Sequence, residues 1–277
     1  MIQSNIDFLI VGAGLYGATI ARLLTDHGHK CLIIEKRNHI GGNIYTEDIE
    51  YGYYIHKYGP HIFHTSNDFV IDFAGKYANW DVYIQNTLAT DGEKLYHLPF
   101  NMNTYYDIFG VTDPEKARQI IENEITYYLN NKKNKSIQNL EEYAKSTVGI
   151  TIYEKLIKNY TEKQWNKKCS ELDASIIKRL PLRYSFDNNY FNDKFQCIPE
   201  EGYTKFIENI IGNIPYILNT KFDYSYWKNK VKYIIYCGAV DELLDYELGE
   251  LSWRSLKFED TSYQYNGFNG QGTAIIN

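Results

Sequence analysis

The residues Gly12-Ala13-Gly14-Leu15-Tyr16-Gly17 have the spacing that lets a backbone approach a pyrophosphate. They lie between an apolar run, Ile6 to Val11, and a helix-like stretch, Ala18 to His27. In such a turn the first glycine permits the tight bend, the second the close approach of the phosphates, and the third the packing of helix on strand. The helix N-terminus then offers N–H groups to the anion. A second apolar run, Cys31 to Glu35, ends in a carboxylate. An acidic side chain there accepts hydrogen bonds from adenosine ribose hydroxyls and repels a 2′-phosphate, which argues against NADP. Two histidines three apart, His61 and His64, invite a metal, but no third ligand follows at suitable spacing and none is expected.

These residues need a strand–helix–strand frame, and the pattern supplies one: two buried strands flank a helix with Ala21 and Leu24 facing inward. The middle of the chain changes character. Asp113-Pro114 starts a helix carrying Ala117, Ile121, Ile125 and Tyr128, and Ser136 can cap a second with Leu140 and Tyr143. After Gly149 a third presents Tyr153, Leu156, Ile157 and Tyr160 on one face, so residues 102 to about 175 read as a helical insertion. The pattern returns to a helix, Tyr203 to Ile211, and a strand, Tyr233 to Cys237. Ser252 to Phe258 and Thr273 to Ile276 read as strands around a glycine-rich turn, Gly267 to Gly272. The apolar Ala274-Ile275-Ile276 has no turn residues after it and reads as a shortened ending.

The 277 residues suffice for one large or two modest domains at about 100–200 residues each. With 44% hydrophobic and 23% charged residues, the chain is globular, not disordered, collagen-like or a disulfide scaffold. The 29 Lys and Arg against 35 Asp and Glu leave a net charge of −6 without a sustained basic run, so no nucleic-acid partner is expected. Cys31, Cys169, Cys197 and Cys237 form no C-x-x-C, which argues against zinc and for reduced thiols in the cytoplasm. The longest apolar stretch, Phe8 to Leu24, is broken by glycines and Arg22, and neither a targeting segment nor a membrane span is expected. The 27 tyrosines reflect compositional bias and carry no functional reading.

Past Glu35 the chain runs through Lys36 and Arg37 to Ile40-Gly41-Gly42-Asn43. The glycines, with Ala21, Leu24, Gly28, Glu35 and the Gly41-Gly42 pair, resemble the FAD fingerprint of glutathione-reductase and amine-oxidase flavoproteins. Further segments narrow the likeness: His56-Lys57-Tyr58-Gly59-Pro60-His61-Ile62-Phe63-His64-Thr65, Leu98-Pro99-Phe100-Asn101-Met102 and Tyr160-Thr161-Glu162-Lys163-Gln164-Trp165. Ile177-Lys178-Arg179-Leu180-Pro181-Leu182-Arg183 and Asp187-Asn188-Asn189-Tyr190-Phe191 come next in the chain. In this order they resemble the UDP-galactopyranose mutase family over the whole chain.

That resemblance implies an α/β fold: a Rossmann-like FAD-binding domain, discontinuous over 1–80 and 202–240, with a helical substrate domain at 102–175. A smaller antiparallel sheet domain would come from 81–101, 176–201 and 241–277. It implies an isomerase that interconverts UDP-galactopyranose and UDP-galactofuranose through a reduced-flavin N5 adduct without net redox change, with reduced FAD as the active form. By resemblance, Gly12, Gly14, Tyr16, Gly17, Glu35, Lys36, Gly42 and Asn43 bind FAD. His61 and Ile62 lie along the isoalloxazine, His64 stands near its reactive face as a catalytic candidate, and Phe222 meets the adenine. Arg179 is the catalytic diphosphate arginine, where negative charge grows as UDP leaves; Arg183 shares the motif without that role. Tyr160 and Thr161 bind uridine, Trp165 stands near the substrate, and Tyr190, Asn277, Gln85 and Leu156 contact it.

Leu156 stands where relatives can carry an aromatic, and Gln85 where some carry Asn. The family normally continues past this point with a second diphosphate arginine, substrate tyrosines and a glycine-arginine stretch that closes around FAD. Two other readings stay open: a non-catalytic flavin- or nucleotide-binding remnant, and an amine-oxidase-like FAD oxidoreductase, which leaves Trp165 and Arg179 unexplained. The product would enter cell-surface polysaccharide, and a homodimer is left open.

Overall fold

The computed structural model describes residues 6–50, 53–132, 136–178, 182–259, 261 and 271–277. The chain divides into two units, one of Met1–Tyr83 with Asp193–Ser252 and one of Ile84–Asn192 with Trp253–Asn277.

The first unit is built on a parallel sheet whose spatial order is Tyr216–Ile217, Cys31–Ile34, Ile6–Val11, Val231–Tyr236. In order of occurrence these strands lie 3-2-1-4, so the winding reverses at Ile6–Val11, where open α/β sheets bind ligands. Both faces are covered, which is why the strands are almost uniformly apolar. Ile10 and Ile33 pack with Ala18 and Ala21 of the helix Leu15–Asp26 and with Phe206 and Ile207 of the helix Gly202–Ile211. Leu9, Val11, Leu32 and Ile34 face the other way, onto Trp227. The first helix begins at Leu15, earlier than the expected Ala18, because the glycine turn itself makes its first turn. An antiparallel hairpin, Thr46–Glu50 with Tyr53–His56, and an antiparallel trio, Phe63–Thr65, Phe195–Pro199 and Trp80–Val82, complete the unit's sheets.

In the second unit an antiparallel hairpin, Thr87–Thr90 with Leu95–Leu98, is joined by the parallel pair Ile275–Ile276. The longer helices Met102–Phe109, Pro114–Asn131, Leu140–Thr147 and the continuous run 150–165 follow. Their core holds the fully buried Met102, Tyr105, Ile121, Leu140, Ile152 and Tyr153. Asn101 caps the first of these helices in a reciprocal box with Thr104, and Asp113 caps the second with Pro114 in its first turn.

Three expectations need correction. Asn139, not Ser136, caps the helix Leu140–Thr147, accepting from the Glu142 N–H at 3.0 Å. Leu140 is fully buried and its N–H bonds to the Leu172 carbonyl at 2.8 Å, which fixes the start there. Residues 252–258 form no strand, and of 273–276 only Ile275–Ile276 pairs. Most of the expected Gly267–Gly272 turn lies outside the described residues. Among the described residues no helix is long and apolar enough to cross a membrane.

Candidate functional site

At the C-terminal ends of the parallel strands lies a cavity of about 880 Å³. Gly12 holds φ at +111°, a conformation glycine alone adopts cheaply. A Cβ on Gly17 would stand 1.9 Å from the Gly12 carbonyl oxygen, so the helix can approach the turn only because that side chain is absent. A Cβ on Gly42 would come within 3.1 Å of the Gly14 Cα. The helix Leu15–Asp26 starts at Gly14 with no side chain capping it and no acidic residue in its first turn. Its free N–H groups and dipole therefore favour an anion.

Glu35 is 6% exposed, and both its oxygens are engaged: one accepts from the Ala13 N–H and the other from the Arg37 N–H, each at 2.8 Å. It thereby pins the glycine turn to the second strand, and a carboxylate still has lone pairs for further donors. Lys36 lines the cavity and pairs with Glu242 at 3.3 Å. Arg37, absent from the sequence-derived site, also lines it. Its Nη2 donates to Asn43 Oδ1 at 3.0 Å, its guanidinium lies 4.6 Å over the Tyr58 ring, and its Nη1 is buried without a partner among the described residues. An orphaned cationic donor beside an uncapped helix start fits a pyrophosphate. The readable signal was its place two residues after the acidic strand end. Gly12, Gly14, Tyr16, Gly17, Gly42 and Asn43 all line the cavity, as does Phe222, whose ring is 5.5 Å from that of Tyr236.

His61, Ile62 and His64 belong to the same unit but are not among the residues lining that cavity. The His61 N–H donates to His56 Nδ1 at 3.0 Å, and His61 Nδ1 bonds to the Gly59 carbonyl at 2.8 Å. Burial foremost, then the neighbouring His61, pushes the His56 imidazole below its ordinary value. His64 Nδ1 meets Asp193 Oδ2 at 2.7 Å, and Ser66 donates to the other carboxylate oxygen at 2.9 Å. These two hydrogen bonds, His64's first, hold the Asp193 carboxyl below the usual range. Among the described residues no group of three or more His, Cys, Asp or Glu could hold a metal ion.

The second unit collects most of the expected substrate residues. Leu156, Tyr160, Thr161 and Trp165 lie on the 150–165 helix, whose start is held by Glu124. That carboxylate accepts from the Thr151 N–H at 2.9 Å and from the Thr151 hydroxyl. Residues Tyr153–Ile157 form a π turn. One extra residue in a turn rotates the remainder of the helix by about 100°. Tyr153, Leu156 and Ile157 are buried while Tyr160 is 49% exposed, which corrects the expectation that all four share one face. Thr161 is buried, and the Trp165 carbonyl accepts from Arg254 Nε at 2.8 Å.

Tyr190 and Gln85 are brought together: the Tyr190 N–H donates to the Gln85 carbonyl at 3.2 Å. The Gln85 side chain is buried, donates to Thr87 Oγ1 at 2.9 Å, and leaves Oε1 without a partner among the described residues. Asn277 exchanges backbone hydrogen bonds with Leu88 and Thr90 at the edge of the small sheet. Arg179 lies outside the described residues.

A 3-2-1-4 parallel sheet, a glycine turn at its reversal point and a carboxylate on the next strand define a Rossmann-like dinucleotide-binding α/β protein. The NAD(P)-binding Rossmann-like domain family accordingly matches residues 10–76, and the UDP-galactopyranose mutase family matches residues 155–277. A Klebsiella pneumoniae protein named probable UDP-galactopyranose mutase is 40% identical over 288 aligned residues, covering 99% of this chain and 70% of that protein. An Escherichia coli dTDP-fucopyranose mutase is 38% identical over 270, covering 92% and 70%. The fold is similar to a crystal structure of reduced UDP-galactopyranose mutase, with TM-score 0.57 and 20% identity over 79% of this chain and 50% of that one. The chain belongs to the UDP-galactopyranose mutase family. It spans about 70% of the length of these curated relatives and half that of the solved structure.

Proposed function

We propose that this chain binds FAD in its first unit and a sugar nucleotide in its second, and interconverts UDP-galactopyranose and UDP-galactofuranose. The observation that carries this reading is the likeness to a UDP-galactopyranose mutase across 99% of the chain. Reduced flavin, when bound, supplies an electron-rich centre for a ring contraction with no net redox change. The uncapped helix start and Arg37 hold its pyrophosphate, Glu35 its ribose, and Phe222 the adenine, while His61, Ile62 and His64 flank the ring system. Arg179 neutralises the diphosphate as it departs, Tyr160 and Thr161 meet the nucleoside, and Trp165, Leu156, Gln85, Tyr190 and Asn277 surround the rest.

The 38% identity to a dTDP-fucopyranose mutase favours a second reading in which the sugar nucleotide is dTDP-fucopyranose. The two substrates differ in the 5-methyl of the base, the ribose 2′-hydroxyl and the sugar C6 hydroxyl, so one assay separates them. The four free cysteines suit a reducing, cytoplasmic setting in which the furanose product feeds polysaccharide assembly.

The test is the visible spectrum of the purified chain, oxidised and dithionite-reduced, with turnover of UDP-galactofuranose and of dTDP-fucofuranose then measured in the same cuvette. Flavin with UDP-galactofuranose turnover is the expected result. Turnover of the thymidine nucleotide alone selects the second reading, flavin without turnover selects a binding remnant, and absence of flavin overturns the cofactor assignment. In an active chain, Arg179→Ala should lose turnover and keep its flavin; undiminished turnover would remove Arg179 from the diphosphate.

A further inference from the structure

Arg183 follows the arginine given to the diphosphate, yet its side chain is only 12% exposed and turned onto its own chain. One guanidinium nitrogen donates to the Asn189 carbonyl and another to the Asn192 side chain, with the Asp187 carboxylate 3.6 Å away. These partners bracket Tyr190, in a segment without regular secondary structure. The same segment is also held by Asn101, a fully buried helix cap that donates to the Asp187 carbonyl at 2.9 Å and to Asn188 Oδ1 at 2.7 Å. Tyr190 itself is tied through its N–H to Gln85. A planar fork can satisfy two acceptors in fixed directions, which a lysine ammonium cannot.

We infer that Arg183 is a positioning residue that clamps the Asp187–Asn192 loop and so fixes Tyr190 beside Gln85 for the sugar nucleotide. The guanidinium is committed to the loop and is not an anion site, although it lies in the same motif as Arg179. This rests on the proposed reading that Tyr190 touches the sugar nucleotide.

The experiment is a double-mutant cycle on the full chain, with UDP-galactose affinity by calorimetry, amide exchange at Asn189 and Phe191, and melting temperature as readouts. Arg183→Ala and Tyr190→Ala should each weaken binding about tenfold, the size of one charge-assisted hydrogen bond. The double variant should bind no more weakly than the poorer single one, because both changes remove the same contact. Arg183→Lys, which keeps the charge and guards against a folding failure, should bind as poorly as Arg183→Ala and lose exchange protection at both amides. Restored affinity in Arg183→Lys, or additive losses in the double variant, would mean that Arg183 meets the ligand directly and would overturn the inference. If Tyr190→Ala binds normally, the Tyr190 reading falls; the clamp falls with it only if both amides stay protected in Arg183→Ala.

Discussion

Gly17 is the residue on which the dinucleotide turn most directly depends. The Gly12 carbonyl sits where its Cβ would be, and the obstacle is backbone, which cannot rotate away as a side chain can. Gly17→Ala should therefore cost about 1–3 kcal/mol, the usual penalty of overpacking, and should lower flavin retention by moving the helix start off the turn. Thermal unfolding and the flavin-to-protein absorbance ratio check both effects, and an unchanged melting temperature would contradict the close approach. His56 makes a different prediction. Its Nδ1 must be unprotonated to accept the His61 N–H, and its folded pKa is below the ordinary value. As pH falls through about 6.5 the unfolded chain takes up a proton before the folded one does. The stability contributed is full above that value, declines below it, and is wholly lost once the pH is under the folded pKa. His56→Asn keeps an acceptor near the Nδ1 position without titrating, so its stability should be flatter than the parent's between pH 7 and pH 5, measured by urea unfolding at each pH. The glycine turn was readable because each glycine has its own steric reason. His56 was not, since its role depends on a backbone group that folding brings to it.

The 150–165 helix shows what periodicity captures and what it misses. Its apolar spacing announces a helix, but the π turn at Tyr153–Ile157 leaves Tyr160 outside the buried face, and no spacing of 3.6 residues contains that extra residue. Its start depends on Glu124, 27 residues before Thr151 in the chain and so outside the few neighbouring residues that encode a local cap. Local chemistry was likewise insufficient at 136–140: Ser and Asn are both good caps, and the burial of Leu140 decides for Asn139. Ser252–Phe258 has a strand's composition, yet among the described residues it meets no ladder partner, and Arg254 bonds instead to the Trp165 carbonyl. Strand preference is realised only against a neighbour. Glu124→Ala should cost about 1 kcal/mol, the usual value of a lost cap. That is about 2–4 °C in melting temperature for a body of this size. Glu124→Gln, which retains one acceptor, should lose less. Equal melting of Glu124→Ala and the parent would show that the helix start is held by packing alone.

At the scale of the whole molecule, the hydrophobic clusters divide as the two units do. One unit is built around Ile10, Ile33 and Phe206 with Leu9 and Trp227 on the opposite face of the sheet, the other around Tyr105, Ile121 and Tyr153. A ligand stabilises only the body whose folded form it binds, by about 2.7 kcal/mol at 100 times its Kd. On the proposed function, FAD at that excess should raise exchange protection along Ile6–Val11 and Cys31–Ile34. It should leave Met102–Phe109 and Leu140–Thr147 unchanged, and UDP-galactose should do the reverse. Opening free energies measured segment by segment resolve this where one melting curve averages it. Equal gains in both units from either ligand would mean that the chain opens as one cooperative body. The two nucleotide sites would then be coupled through its stability, and the loss of either ligand would loosen the residues that hold the other.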